Sequence, residues 1–117
     1  MPWAAFALPV ECYCVMWLRE SRGVKINGDA WTIKPNIEKV DLRKGDVILF
    51  DYGGIGKDHV AQVVSFKQEH LHGGVYVRKS IRVIEANYGR CKVGYRDIDW
   101  DDPAIKGGYR YPHIGVK

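Results

Sequence analysis

An α+β domain is what this sequence predicts, with one helix near the amino end followed by an antiparallel sheet of short strands. Three observations carry that expectation. Residues 12–20 contain neither Gly nor Pro, and they are preceded by Pro9 and followed by Gly23, the punctuation of a helix. Later come brief apolar runs rich in β-formers, at residues 47–50, 59–66 and 81–87, separated by Gly-containing turns. The length of 117 residues suffices for one hydrophobic core and not for two, so a single domain is expected over residues 1–117.

In chain order, Pro9 is tolerated in a first helical turn and Glu11 suits the positive end of the macrodipole, which places the helix at about residues 10–21 with Gly23 ending it. Cys12 and Cys14 both then lie near its N-terminus, where unpaired N–H groups favour a thiolate over a thiol. The dipole does not distinguish the two. Residues 29–33 read as a short second helix with Asp29 as N-cap and Trp31 turned inward, either as plain core or as part of a cleft wall. Residues 34–44 alternate polar and charged residues with Pro35 and Asn36 and read as a loop.

Lys44–Asp46 is a turn, Val47–Phe50 a buried strand, and residues 51–57, with three glycines, a loop. The strand from His59 to Phe66 carries His59, Ala61, Val63 and Ser65 on one face, and a strand at 81–87 carries Ile81, Val83, Glu85 and Asn87 on one face. If the two are antiparallel around a turn centred on Gly73, residues whose numbers sum to 146 stand opposite, pairing His59 with Asn87 and Ala61 with Glu85. A slip of one residue would turn Glu85 and Asn87 away from His59. Three polar side chains at one end of an apolar face would be costly in a core unless they bonded one another, so the arrangement suggests a site. Further strands are expected at 92–98 and 109–116, with Asp101–Pro103 and Gly107–Gly108 as turns.

Composition narrows the function classes. Hydrophobic residues make up 46% of the chain, the balance of a folded protein. Eighteen Lys and Arg against 14 Asp and Glu give a net charge of +4, which favours anionic partners. The basic residues are scattered and not interleaved with stacking aromatics in any motif, so no nucleic acid partner is expected. Three cysteines cannot complete an internal disulfide framework, and at least one thiol stays free. The Cys12-x-Cys14 spacing is not that of a zinc knuckle, so no metal or other cofactor is expected; Cys91 reads as structural, without a chemical partner evident in the sequence. His70 and His72, beside Gly73–Gly74, read as exposed turn residues. The apolar segment Met1–Val10 has no basic residue ahead of it and runs into the cysteines, so it does not read as a signal peptide, and no run of 18 apolar residues is present to insert in a membrane.

Cys14, Val15, Trp17, Leu18 and Arg19, then Gly23–Val24 and Gly28–Trp31, resemble the opening of a CHAP domain, a family of cysteine-dependent amidohydrolases and peptidases within the NlpC/P60 group. The resemblance continues through Gly45–Phe50, the His59-Val60-Ala61 segment with Val63–Val64, and Val83–Asn87, to Asp102–Ile105 and Gly107, and so covers nearly the whole chain. It implies a papain-like fold in which the helix bearing the nucleophile packs on an antiparallel sheet. In the family's register the nucleophile falls on Cys14, because the aromatic three places later is Trp17 and the Gly nine places later is Gly23. His59 then falls on the family's base, Glu85 and Asn87 on its Glu-x-Asn positions, and Trp31 on a position lining the cleft.

Such a set suits attack on an amide carbonyl, which needs a thiolate, an imidazole to protonate the leaving amine and a third group to fix the imidazole. The implied activity is that of a peptidoglycan hydrolase, acting either as an N-acetylmuramoyl-L-alanine amidase or as an endopeptidase of the stem or cross-bridge, as in phage endolysins, virion-associated lysins and bacterial autolysins. The implied partners are bacterial peptidoglycan and, for a protein made in the cytoplasm without a signal segment, a holin or a virion to deliver it to the wall. Two other classes fit the same residues: a non-catalytic wall-binding or virion module that keeps the fold, and a cysteine amidohydrolase acting on a non-wall amide. Of the third-role candidates, Glu85 is expected to orient His59, because a carboxylate stabilises an imidazolium where an amide can only orient the ring.

Overall fold

The helix expected at residues 10–21 is divided in two, with Cys14 at the start of its second part. The computed structural model describes residues 9–53, 58–71, 73–86 and 91–111. Pro9 leads into a 3-10 turn at Val10–Cys12, closed by the Tyr13 N–H donating to the Val10 carbonyl; Tyr13 is extended (φ −127°, ψ 100°), and α1 runs over Cys14–Arg22. Cys12 is tied to Cys91 by a disulfide across 79 residues of chain, with Cα atoms 4.2 Å apart. Cys91 is therefore structural, as expected, with a covalent partner that the sequence did not reveal, and Cys14 is the free thiol. Gly23, at φ 65°, ends α1 in the left-handed conformation that glycine adopts without a Cβ penalty, its N–H bonded to the Leu18 carbonyl.

After α1 come a 3-10 turn at Lys39–Asp41 and strands β1 (Val47–Asp51), β2 (Asp58–His70), β3 (Tyr76–Ala86), β4 (Val93–Asp99) and β5 (Ile105–Tyr109). They form one antiparallel sheet in the order β4-β3-β2-β1-β5, which gives the molecule its α+β class. The β2–β3 pairing has the expected register where the site requires it: Gln62 faces Ile84 and Val63 faces Val83. Between Val63 and Ser65 the register slips by one, and it returns at Gln68–Arg78, so two compensating bulges sit in the hairpin arm and leave the site end in phase.

Both sheet faces are apolar, as the continuous runs in β1 and β2 require. On one face Val15, Trp17 and Leu18 of α1 pack with Ile26 and Ile33 against Leu49, Val60 and Ile84. On the other, Ile48, Phe50, Ala61, Val63, Val83 and Ile98 form a second cluster closed by Leu42. Leu18 has no exposed surface, and burying such a side chain stabilises by about 2 kcal/mol.

Residues 29–33 make a single turn and not a helix. Its cap is the Thr32 hydroxyl, which accepts from the Asp29 N–H at 3.0 Å and donates to the Asp29 carbonyl at 2.9 Å. One turn cannot carry a two-residue apolar stripe inward, so Ile33 is buried and Trp31 is 67% exposed, contrary to the inward reading of Trp31. Gly107 and Gly108 lie in β5 and do not form a turn. The loop of residues 34–44 crosses β5 here, with Ile37 bridged to Gly108, and a Cβ would meet Pro35 at 2.9 Å from Gly107 and collide with Leu42 from Gly108. These glycines serve close approach, so the last strand lies at 105–109 instead of beginning at 109, and residues 112–116 of the expected strand lie outside the described residues.

Candidate active site

Cys14 occupies the first position of α1, where the N–H groups of the first turn have no carbonyl partner within the helix and point past the side chain. Two features fix it there. The extended Tyr13 separates it from the 3-10 turn, and the disulfide at Cys12 holds that turn to the segment leading into β4. The thiol lines a cleft of about 380 Å³ with Cys12, Tyr13, Val15, Met16, Arg19 and the loop Gly28–Ala30. The wall ends at Ala30. Trp31, the next residue, stands in solvent.

His59 is the second residue of β2 and Glu85 the last but one of β3, which brings both to the same end of the sheet, on the face of Ala61 and Val83. They are 6% and 4% exposed, and His59 Nε2 lies 2.9 Å from Glu85 Oε1. With Nε2 so engaged, Nδ1 is the ring nitrogen that faces the thiol, and Cys14 at the tip of α1 lies near enough to the imidazole to favour its charged form. Cys14, His59 and Glu85 thus follow one another from helix to β2 to β3, with the His59–Glu85 pair hydrogen-bonded. Asn87, the fourth residue expected at this site, lies outside the described residues.

Two further residues complete the cluster. Arg96 of β4 donates from Nε to Glu85 Oε2 at 2.6 Å and from Nη2 to Oε1 at 3.0 Å, and Nη2 also reaches the Tyr52 hydroxyl at 2.9 Å. The sequence held a signal for Arg96. In β4 the alternate residues Gly94, Arg96 and Ile98 share a face, and apolar Ile98 marks that face as inward, so a cation on it needs a buried carboxylate. No comparable pattern marks Tyr52, which follows β1 and stacks on Phe50 with ring centroids 5.6 Å apart.

The electrostatics follow from these contacts. Burial disfavours the imidazolium of His59, but contacts with Cys14 and Glu85 and the charges of both outweigh it, so His59 titrates above its ordinary value of 6.5. Burial would likewise raise the Glu85 carboxyl, and the hydrogen bonds from His59 and Arg96 overcome it, so Glu85 stays below the ordinary carboxylate range. Arg96 is raised further above neutrality: burial opposes its charge, and the bonds to Glu85 and Tyr52 more than compensate. Among the described residues no buried side-chain polar atom is left unpartnered, and no group of three or more His, Cys, Asp or Glu is arranged to hold a metal ion. No helix among them is long and apolar enough to cross a membrane.

A free thiol at a helix N-terminus, an imidazole beside it and a carboxylate on the imidazole's second nitrogen is an arrangement competent for nucleophilic acyl transfer. No family model matches this chain, and neither does any curated protein or solved structure among those compared.

Proposed function

We propose that this protein is a cysteine-dependent amidohydrolase with a papain-like fold of the NlpC/P60 kind, cleaving an amide bond of bacterial peptidoglycan. The observation that supports it most is the free thiol of Cys14 beside a buried His59 that is hydrogen-bonded to the buried Glu85, in a chain whose other two cysteines are joined to each other. A structural thiol has no need of a buried base that is itself oriented by a buried carboxylate. The CHAP-like order of motifs in the sequence supplies the substrate class.

In this reading Sγ of Cys14, as thiolate, attacks the amide carbonyl. The C–N bond then breaks, with His59 giving its proton to the departing amine. Water, deprotonated by His59, releases the acyl group from the thioester and restores the thiol. Oxyanion charge would develop against the first-turn N–H groups of α1, where the positive end of the macrodipole favours it. Glu85 fixes the ring so that Nδ1 faces sulfur, and its charge stabilises the imidazolium. Asn87 would assist in orienting the ring, and the exposed indole of Trp31 at the rim of the cleft offers a flat apolar surface to a glycan or peptide chain.

The test is solubilisation of purified peptidoglycan by the parent, Cys14→Ala, His59→Ala and the double variant. Residues acting as one unit give non-additive losses, so all three variants should be equally inactive. Activity retained by His59→Ala would remove the proposed base. Delivery by a holin or virion predicts a second result: expression in the cytoplasm is harmless until the inner membrane is permeabilised, and lysis without permeabilisation contradicts it.

A further inference from the structure

Acyl transfer by thiol and imidazole does not in itself call for an arginine, yet Arg96 makes three side-chain hydrogen bonds at this site. Its partner explains why. Glu85 is 4% exposed, so water cannot solvate its charge, and His59 occupies only one of its two oxygens. The guanidinium takes both: Nε bonds Oε2 at 2.6 Å while Nη2 bonds Oε1, the same oxygen that faces Nε2 of His59. A two-point fork fixes the plane of a carboxylate as well as its position, which a single ammonium could not do. The fork is itself anchored, by the Tyr52 hydroxyl at 2.9 Å and by the Phe50 ring, whose centroid is 5.4 Å from the guanidinium carbon. Phe50 also lies 6.0 Å from the His59 ring, so one aromatic pair supports both ends of the carboxylate's contacts.

We propose that Arg96 is the positioning residue of this site, holding the buried Glu85 carboxylate ionised and aimed at Nε2 of His59, with Tyr52 fixing the guanidinium in turn. The proposal rests on the reading of Cys14 and His59 as catalytic, which it deepens, but its physical core can be measured without any turnover. The groups facing Glu85 are His59 from β2 and Arg96 from β4, with Tyr52 beyond Arg96 and Cys14 of α1 beyond His59. Loss of the cation and loss of two hydrogen bonds act in the same direction: both make protonation of Glu85 easier. A protonated Glu85 no longer stabilises an imidazolium.

The experiment follows the Glu85 side-chain carboxyl carbon by NMR as a function of pH, in a Cys14→Ala background, with Arg96 intact, Arg96→Met and Arg96→Lys. Arg96→Met should raise the Glu85 midpoint by about one unit or more, a tenfold change in ionisation, and Arg96→Lys by less because charge is kept and the fork is lost. With Cys14 restored, the acidic limb of the rate profile should move upward by the same amount in each variant, with kcat reduced and KM little changed, a pattern that mere loosening of the fold would not give. A Glu85 midpoint unchanged in Arg96→Met overturns the proposal, and if that variant does not fold, an unchanged midpoint in Arg96→Lys does so. A shifted midpoint in a protein whose parent cleaves no wall leaves the Arg96 assignment standing and removes the hydrolase reading. A parent that cleaves, with an unshifted midpoint, does the reverse.

Discussion

Replacing Glu85 by Gln keeps the shape of the side chain and removes its charge, and the geometry dictates the consequence. The imidazolium of His59 loses an anion at 2.9 Å and is left facing the Arg96 cation that the carboxylate had neutralised. At an effective dielectric near 20, a pair of charges about 4 Å apart interacts by roughly 4 kcal/mol, an upper figure that amide dipoles and nearby water reduce. A fall in the His59 pKa of about one to two units is what remains. The fall reverses the balance described for the parent, in which Cys14 and Glu85 together lift His59 above 6.5 against its burial. The basic limb of the rate profile should therefore move to lower pH, and the rate at pH 8 should drop by about ten- to a hundredfold. Asn87→Ala, which removes no charge, should cost less. Rate against pH for the two variants is the assay. An unshifted profile in Glu85→Gln together with a collapse in Asn87→Ala would refute the assignment and transfer the orienting role to Asn87.

Iodoacetamide should alkylate one thiol of the oxidised protein, at Cys14, and Cys12 and Cys91 only after reduction, as peptide mapping would show; modification of Cys12 without reductant contradicts the pairing. Cys91→Ser should lower stability by about 4 kcal/mol, the loop-closure value for a bridge spanning 79 residues, measured by denaturant unfolding, and an unchanged unfolding midpoint would count against the disulfide. Gly108→Ala should destabilise by about 2 kcal/mol or more because its Cβ meets the Leu42 side chain, whereas Gly94→Ala, with nothing within 4 Å, should be nearly neutral by the same measurement. Stability should also depend on pH through the buried pair. Glu85, held below its ordinary value, contributes fully above about 4.5 and loses its contribution as pH falls through the depressed pKa; His59, held above 6.5, contributes below 6.5 and loses its contribution as pH rises through the raised one. Both operate between 4.5 and 6.5, so denaturant unfolding should show the parent gaining most over Glu85→Gln in that range.

Much of the site was legible because strand parity is a local property. His59 and Glu85 each follow an alternation readable within their own strands, and one turn near Gly73 sets how those strands meet. The bulges near Ser65 and Gln68 were not legible, but they cancel before the site. What eluded the sequence depends on contacts between distant segments. The Cys12–Cys91 bond joins residues 79 apart, and three cysteines admit several pairings. The helix start moved from residue 10 to Cys14 because Tyr13 adopts extended backbone, a choice that propensity does not record. Gly107 and Gly108 carry the usual signal of a turn, yet they answer to the loop packed over β5. Trp31 was open to two inward readings, core or cleft wall, and a single turn capped by Thr32 left it outside.

The central claim is that Cys14 is acylated by a wall amide. Purified peptidoglycan incubated with the parent and with Cys14→Ala, followed by mass analysis of the soluble products, tests it most directly. The parent alone should release fragments bearing new amine and carboxyl ends at one defined amide bond, either between lactyl group and L-alanine or within the peptide. Identical product spectra from the parent and Cys14→Ala, or products cut at glycosidic bonds, would contradict it.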